Sequence, residues 1–167
     1  LNNDIKGMKI GIAKEYLEGV RDDVKEAVLK AADIYKSMGA EIVYFDLPEL
    51  KFALPVYYII ACAEASSNLG RYDGIRFGYK TEHYNGTHDM VCRTRSEGFG
   101  EEVKRRILLG TYVLSAGYYD AYYKKAQNLR GTIVKAFNNA FEKCDVILAP
   151  TVPMTAFEKG HAVSDPI

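Results

Sequence analysis

Apolar residues follow two rhythms along this chain. Met8-Lys9-Ile10-Gly11-Ile12-Ala13 is a short, nearly continuous apolar run, which predicts a buried strand over Met8–Ala13. Between Val20 and Met38 the pattern changes. Val24, Ala27, Val28, Ala31, Ile34, Tyr35 and Met38 recur at helical spacing and predict one apolar face of an amphipathic helix. Asp22 or Asp23 is the expected N-cap, with acidic charge at the positive end of the helix dipole. Gly39 is the expected left-handed stop. Glu41-Ile42-Val43-Tyr44-Phe45 is rich in β-branched and aromatic residues and predicts a second strand. Strand, helix and strand in this order imply a parallel pair with a right-handed crossover.

After Pro48 the helical rhythm dominates. Tyr57 to Leu69 predicts a helix, with Pro55 in a first turn that tolerates it. Gly70 to Gly86 reads as a loop and Thr87 to Arg95 as a short helix, closed by a Glu97-Gly98-Phe99-Gly100 turn. Glu101 to Ser115 predicts a helix that Gly117 breaks, and Tyr118 to Lys143 a long amphipathic helix. Asp145-Val146-Ile147-Leu148-Ala149 predicts a third strand, stopped by Pro150. The expected fold class is α/β: a partial fold with a short parallel or mixed sheet of about three strands and flanking helices. Residues 1–167 read as a single α/β piece of a larger domain, with residues 151–167 an irregular C-terminal tail. The chain starts at Leu1 and stops on the turn-like Ser164-Asp165-Pro166-Ile167, so a piece of something longer is expected.

Composition narrows the function classes. Hydrophobic residues are 48% and charged residues 26%, enough apolar material for a core. Lys+Arg is 22 and Asp+Glu is 22, so the balance offers no global footprint for nucleic acid or an anionic membrane. No apolar run reaches the roughly 18 residues that span a bilayer. Cys62, Cys92 and Cys144 are odd in number and far apart, which suits neither a disulfide framework nor a zinc site and points to a reducing, cytoplasmic compartment. His83, His88 and His161 lack metal spacing, and His83 and His88 are expected to be solvated.

Candidate chemistry is sparse. The first β-α turn, Ala13 to Gly19, has no glycine-rich phosphate motif and carries two glutamates. Ser66-Ser67 invites a serine-nucleophile reading, but both lie inside a helical stretch, which has no free backbone N–H groups for an oxyanion. Their hydroxyls are expected to bond back to the preceding turn. Glu64, Asp73 and Asp120 are acids in apolar or aromatic settings, but spacing does not bring any two together. Cys62 and Cys144 sit in apolar company and read as small core residues. Lys104-Arg105-Arg106 follows Glu101 and Glu102 at the spacing of Glu101–Arg105 and Glu102–Arg106 ion pairs. Two readings stay open there: a solvated, salt-bridged face, or an arginine at the margin of the apolar Ile107-Leu108-Leu109 side that offers its fork to a substrate carboxylate. Tyr118-Tyr119 and Tyr122-Tyr123 place aromatic rings one helical turn apart, as packing or as a ligand platform.

Several strings taken together resemble a known family. Tyr57 to Leu69 is followed by Arg71-Tyr72-Asp73-Gly74-Ile75-Arg76-Phe77-Gly78. Then come Arg95-Ser96-Glu97-Gly98-Phe99-Gly100, Lys104-Arg105-Arg106-Ile107-Leu108-Leu109-Gly110, Gly117 to Tyr123, and Ala149-Pro150-Thr151. In this order they resemble the amidase signature family, and within it the glutaminase subunits of tRNA-dependent amidotransferases. The resemblance runs from about Asp4 to the end. It implies a parent enzyme that hydrolyses glutamine and supplies ammonia for converting Glu-tRNA(Gln) to Gln-tRNA(Gln), a carbon–nitrogen ligase with glutamine as amide donor. It implies B and C subunits as partners, tRNA met through the B subunit, and no membrane. No cofactor is expected in this chain; ATP and magnesium would be used by the B subunit. The family's Lys–Ser–Ser catalytic triad has no match here, so no catalytic residue is assigned and inactivity alone is expected. Two substrate contacts do match: Tyr57, and Arg106 as the binder of the glutamine α-carboxylate. Two alternatives remain open, a noncatalytic binding or scaffold domain and a piece of a small-molecule amidase.

Overall fold

The computed structural model describes residues 4–157 and 159. The chain forms two compact units: Leu1–Leu50 with Val134–Ile167, and Lys51–Ile133. The second unit is the helical stretch between the second and third strands.

The first unit contains strands β1 (Lys9–Ala13), β2 (Glu41–Phe45) and β3 (Val146–Ile147). They form one sheet in the order β2-β1-β3, and both pairings are parallel. β1 is central, which explains its continuous apolar run: Ile10, Ile12 and Ala13 are buried. β2 pairs in register, Ile10 beside Ile42 and Ile12 beside Tyr44. β3 is shorter than the expected Asp145–Ala149. The flanking residues still extend its ladder: the Asp145 N–H donates to the Lys9 carbonyl at 2.8 Å and the Leu148 N–H to the Gly11 carbonyl at 2.9 Å. Asp145 also accepts the Lys9 N–H at 2.8 Å through its carboxylate. Pro150 then ends the strand, having no N–H to give.

Ala13, Phe45, Leu47, Ala140 and Cys144 make the core of this unit, with Tyr16, Ala136 and Phe137 packed against it. Cys144 is a core residue as expected, and burial pushes its thiol above the ordinary value. Gly11 is required by this packing. A Cβ there would meet Cys144 Sγ and Phe45 Cε1, each at 2.6 Å. Gly11→Ala is therefore expected to destabilise the protein by about 1–3 kcal/mol through overpacking. Urea denaturation checks this, and an unchanged midpoint would contradict the packing around β1.

Helix α1 (Asp22–Ser37) is shorter than the predicted Val20–Met38. Its N-cap position is Arg21, with no side-chain cap, rather than Asp22 or Asp23. Asp23 is instead held by Arg21, whose guanidinium keeps its carboxyl below the usual range. Gly39 has the left-handed φ of 97° expected of a helix stop. The predicted apolar face is only partly buried: Val28 is inside, Ile34 and Met38 are about half exposed, and the buried alanine is Ala32, next to the predicted Ala31. α1 packs on β2, the edge of a three-strand sheet. That surface is narrower than the stripe the helix offers. The 3₁₀ turn Lys14–Leu17 after β1 spends its polar groups on the end of β2. Lys14 pairs with Asp46 at 2.7 Å, and Glu15 accepts the Leu47 N–H at 2.8 Å. Residues 151–157 follow β3 as irregular chain, where Pro153 accepts the Arg21 N–H at 2.9 Å. Residues 158 and 160–167 of the expected tail, His161 among them, lie outside the described residues.

The second unit begins with α2 (Ala53–Leu69), entered from a 3₁₀ turn at Pro48–Phe52, with Pro55 in its first turn as expected. α3 (Gly86–Gly98) runs three residues beyond the predicted Arg95. Glu97 sits in that extra turn and is tied to the preceding loop by the Tyr79 hydroxyl at 2.8 Å and the Thr81 hydroxyl at 3.2 Å. These bonds outweigh the turn preference of Glu97-Gly98. α4 (Glu101–Leu114) matches its prediction to one residue. The predicted long helix divides into a π-helical stretch, Tyr119–Lys124, and α5 (Lys125–Phe141). The Tyr118–Tyr122 and Tyr119–Tyr123 pairs expected from spacing are present, with centroids 6.1 and 5.2 Å apart. The wider turn also leaves Tyr118 4.2 Å and Tyr122 6.2 Å from Tyr112 of α4. The Tyr118 contact pushes the Tyr112 phenol up to about 12. No helix among the described residues is long and apolar enough to cross a membrane.

Candidate functional site

The site is built on α2 and α4, the most extensively packed pair of helices in the second unit. Small residues let them approach closely. Gly110 lies against Cys62 and Ser66, and a Cβ on Gly110 would meet Ser66 Cβ at 2.6 Å and collide with the Cys62 carbonyl. The Ser66 and Thr111 hydroxyls are 2.9 Å apart. Thr111 donates its proton to the Ile107 carbonyl at 2.8 Å, so Ser66 is the donor of the cross-helix bond. The Ser66 hydroxyl therefore joins two helices instead of turning back on its own, which corrects the sequence expectation. It faces a structural partner, not a general base.

About one turn before this crossing lie Tyr57 on α2 and Arg106 on α4. The structure brings these two sequence-predicted residues near one another: the Tyr57 phenol acts on the Arg106 guanidinium, second to Glu102, and helps to hold its proton. Tyr57–Arg106, Cys62–Gly110 and Ser66–Thr111 advance together along both helices, so α2 and α4 run side by side in the same direction. The Tyr57 ring is half exposed and packs edge-on against Tyr58, centroids 5.5 Å apart.

Arg106 has a second partner. Its Nε donates to Glu102 Oε1 at 2.8 Å, the i,i+4 pair expected from sequence. Glu102 also receives Arg105, whose Nε and Nη2 donate at 2.8 and 2.9 Å. This corrects the expected Glu101–Arg105 pairing. Spacings of three and four are both adjacent on a helix, and Arg105 takes the i,i+3 acid. The electrostatics agree. Glu102 first, then Tyr57, holds Arg106 well above the ordinary guanidinium value. The two arginines, Arg106 foremost, hold the Glu102 carboxyl below the usual range. Two guanidiniums around one carboxylate leave one positive charge in excess. The side chain of Arg105 is 57% exposed and that of Arg106 only 34%. Arg105 belongs to the solvated face, and Arg106 stands at the margin where α4 meets α2.

The remaining candidates do not converge. Glu64 is exposed and meets its own helix at Asn68 (3.4 Å), Asp73 caps a turn by accepting the Ile75 N–H at 2.9 Å, and Asp120 pairs with Lys124 at 3.3 Å. Cys62 is buried under α4 as expected, and His83 and His88 are exposed. Among the described residues no cluster of His, Cys, Asp and Glu could hold a metal. Sequence reasoning missed Gly110 and found Glu102 only as an ion-pair partner. The signal for Gly110 was the small pair Cys62 and Ser66, one turn apart on α2 and facing a glycine.

Comparison with known proteins bears on this arrangement. The amidase family profile matches residues 1–166. The A subunit of glutamyl-tRNA(Gln) amidotransferase from Agathobacter rectalis is 56% identical over the whole of this chain, and that from Staphylococcus aureus (strain Newman) is 53% identical. The chain spans 33% and 35% of their respective lengths, so it corresponds to about a third of such a protein. Among solved structures, the A subunit of the same enzyme from Thermotoga maritima superposes with a TM-score of 0.66 at 36% identity, covering 99% of this chain and 31% of that one. A crystal structure of an amidase at 20% identity, TM-score 0.69, shares the fold. With the family match running over nearly its whole length, the chain belongs to the amidase family.

Proposed function

We propose that this chain is the substrate-side portion of the glutamine-hydrolysing component of an amidotransferase. The enzyme would release ammonia from glutamine and use it to convert Glu-tRNA(Gln) to Gln-tRNA(Gln). The observation that supports this best is Arg106 at the margin of α4, held at Nε by Glu102 with Tyr57 near it, set in a chain more than half identical to proteins named as the A subunit of that enzyme. The terminal Nη groups of Arg106 make a planar fork suited to a carboxylate. Glutamine carries an α-carboxylate at one end and the scissile γ-amide at the other. Holding the first fixes where the second lies, and fixed placement is a large part of catalysis. The γ-amide C–N bond then breaks, nitrogen leaves as ammonia, and water restores the carboxylate as glutamate.

The nucleophile and base for that step, a Lys–Ser–Ser set, lie outside this chain in the proposal. So do ATP and magnesium, which would act in a B subunit that also meets the tRNA. A C subunit completes the assembly. The work asked of these residues is binding and orientation, which needs no cofactor here. The tRNA chemistry points to the cytoplasm, and three unpaired cysteines suit a reducing compartment.

The test compares the isolated 167-residue chain with the full-length protein assembled with its partner subunits. The assembly is expected to release ammonia from glutamine, and the isolated chain none above the buffer blank. Ammonia release by the isolated chain that is abolished by Ser66→Ala or Ser67→Ala would overturn the division of labour.

A further inference from the structure

The Arg106 guanidinium is held along one edge by an acid of its own helix. Of the guanidinium nitrogens, Nε is taken by Glu102 Oε1 at 2.8 Å. Glu102 is itself clamped: Arg105 grips the same carboxylate through Nε at 2.8 Å and Nη2 at 2.9 Å. All three residues lie on the first turns of α4, so the clamp is local to one rigid helix. A bond at Nε restricts how the guanidinium plane can turn and leaves the edge between the two terminal nitrogens outside that bond.

We propose that Glu102 is a positioning residue for carboxylate binding, fixing Arg106 through Nε so that its Nη pair is presented end-on to the substrate. This rests on Arg106 being the α-carboxylate contact. Glu102 does not touch substrate and does not compete with it, because it occupies an edge the substrate fork does not need. The excess positive charge of the Arg105–Glu102–Arg106 group survives the pairing.

The experiment is glutaminase kinetics on the full-length, assembled protein. Glu102→Ala is expected to raise KM for glutamine about tenfold with kcat within about threefold, less than the roughly hundredfold cost of a 1 Å misplacement of reacting groups. Glu102→Gln keeps an oxygen that accepts from Nε and should restore KM to within about threefold of wild type. Glu101→Ala removes an acid from the same helical turn, with the same dipole interaction but no bond to Arg106, and should leave KM unchanged. A KM that is unchanged or lowered in Glu102→Ala, while Arg106→Ala raises it, would overturn the positioning role and leave Arg106 as the binder. A KM that Arg106→Ala does not move would instead overturn the binding role itself. Equal effects of Glu101→Ala and Glu102→Ala would reduce Glu102 to a helix-dipole charge.

Discussion

Arg106→Ala in the full-length, assembled protein is expected to lower kcat/KM for glutamine on the order of a hundredfold, as for truncating one partner of a desolvated, hydrogen-bonded charge pair. The loss should be large because no neighbouring cation can take over. Arg105 is turned to solvent and committed to Glu102. Arg106→Lys should recover little, since an ammonium is a point charge and cannot give two parallel bonds to a carboxylate. It would also lose the Nε contact that sets the orientation. Arg105→Ala should change kcat/KM by less than about threefold, because Glu102 retains its bond to Arg106. If Arg106→Ala stays within threefold, Arg106 is a surface charge. If Arg105→Ala is the crippling change, the substrate face of α4 is rotated by one residue.

The second large effect is expected at Gly110. Alanine is the better helix former by about 1 kcal/mol, so propensity alone would make Gly110→Ala stabilising. Packing opposes this. The new Cβ would collide with the Cys62 carbonyl and lie 2.6 Å from Ser66 Cβ. The Cys62 carbonyl is backbone, so no rotamer change relieves the contact and α2 must move as a body. Overpacking of this kind costs typically about 1–3 kcal/mol and more where backbone must shift, which exceeds the propensity gain. A lower thermal midpoint is expected, together with a raised KM for glutamine, because separating α2 from α4 pulls Tyr57 away from Arg106. A midpoint equal to or above wild type would mean that the two helices do not cross at Gly110.

The sheet was legible in the sequence because its central strand is buried on both faces: Ile10-Gly11-Ile12-Ala13 has no polar alternation to confuse it with a surface strand. Element ends were legible where punctuation is local, as at Gly39 after α1 and Pro150 after β3. They were less so where distant partners decide, as at Glu97, whose turn is held by Tyr79 and Thr81. The π-helical turn was hidden because Tyr118, Tyr119, Tyr122 and Tyr123 satisfy helical spacing equally well with or without an extra residue per turn. The site divides in the same way. Arg106 and Glu102 share a helix, so spacing found their pair, although it could not choose between Glu101 and Glu102 for Arg105. Tyr57 is remote in sequence from Arg106, and no periodicity reports on that contact. Resemblance to a family singled out both residues, and the close approach at Gly110 explains how they meet.

The most direct test is a crystal structure of the full-length, assembled protein with glutamine bound. The α-carboxylate is expected within hydrogen-bond distance of both terminal nitrogens of Arg106, about 2.7–2.9 Å for charge-assisted pairs, with Tyr57 lining the same pocket and Glu102 still on Nε. A glutamine whose carboxylate is held by other residues, with Arg106 turned to solvent, would contradict the assignment of this segment as the substrate side of the site.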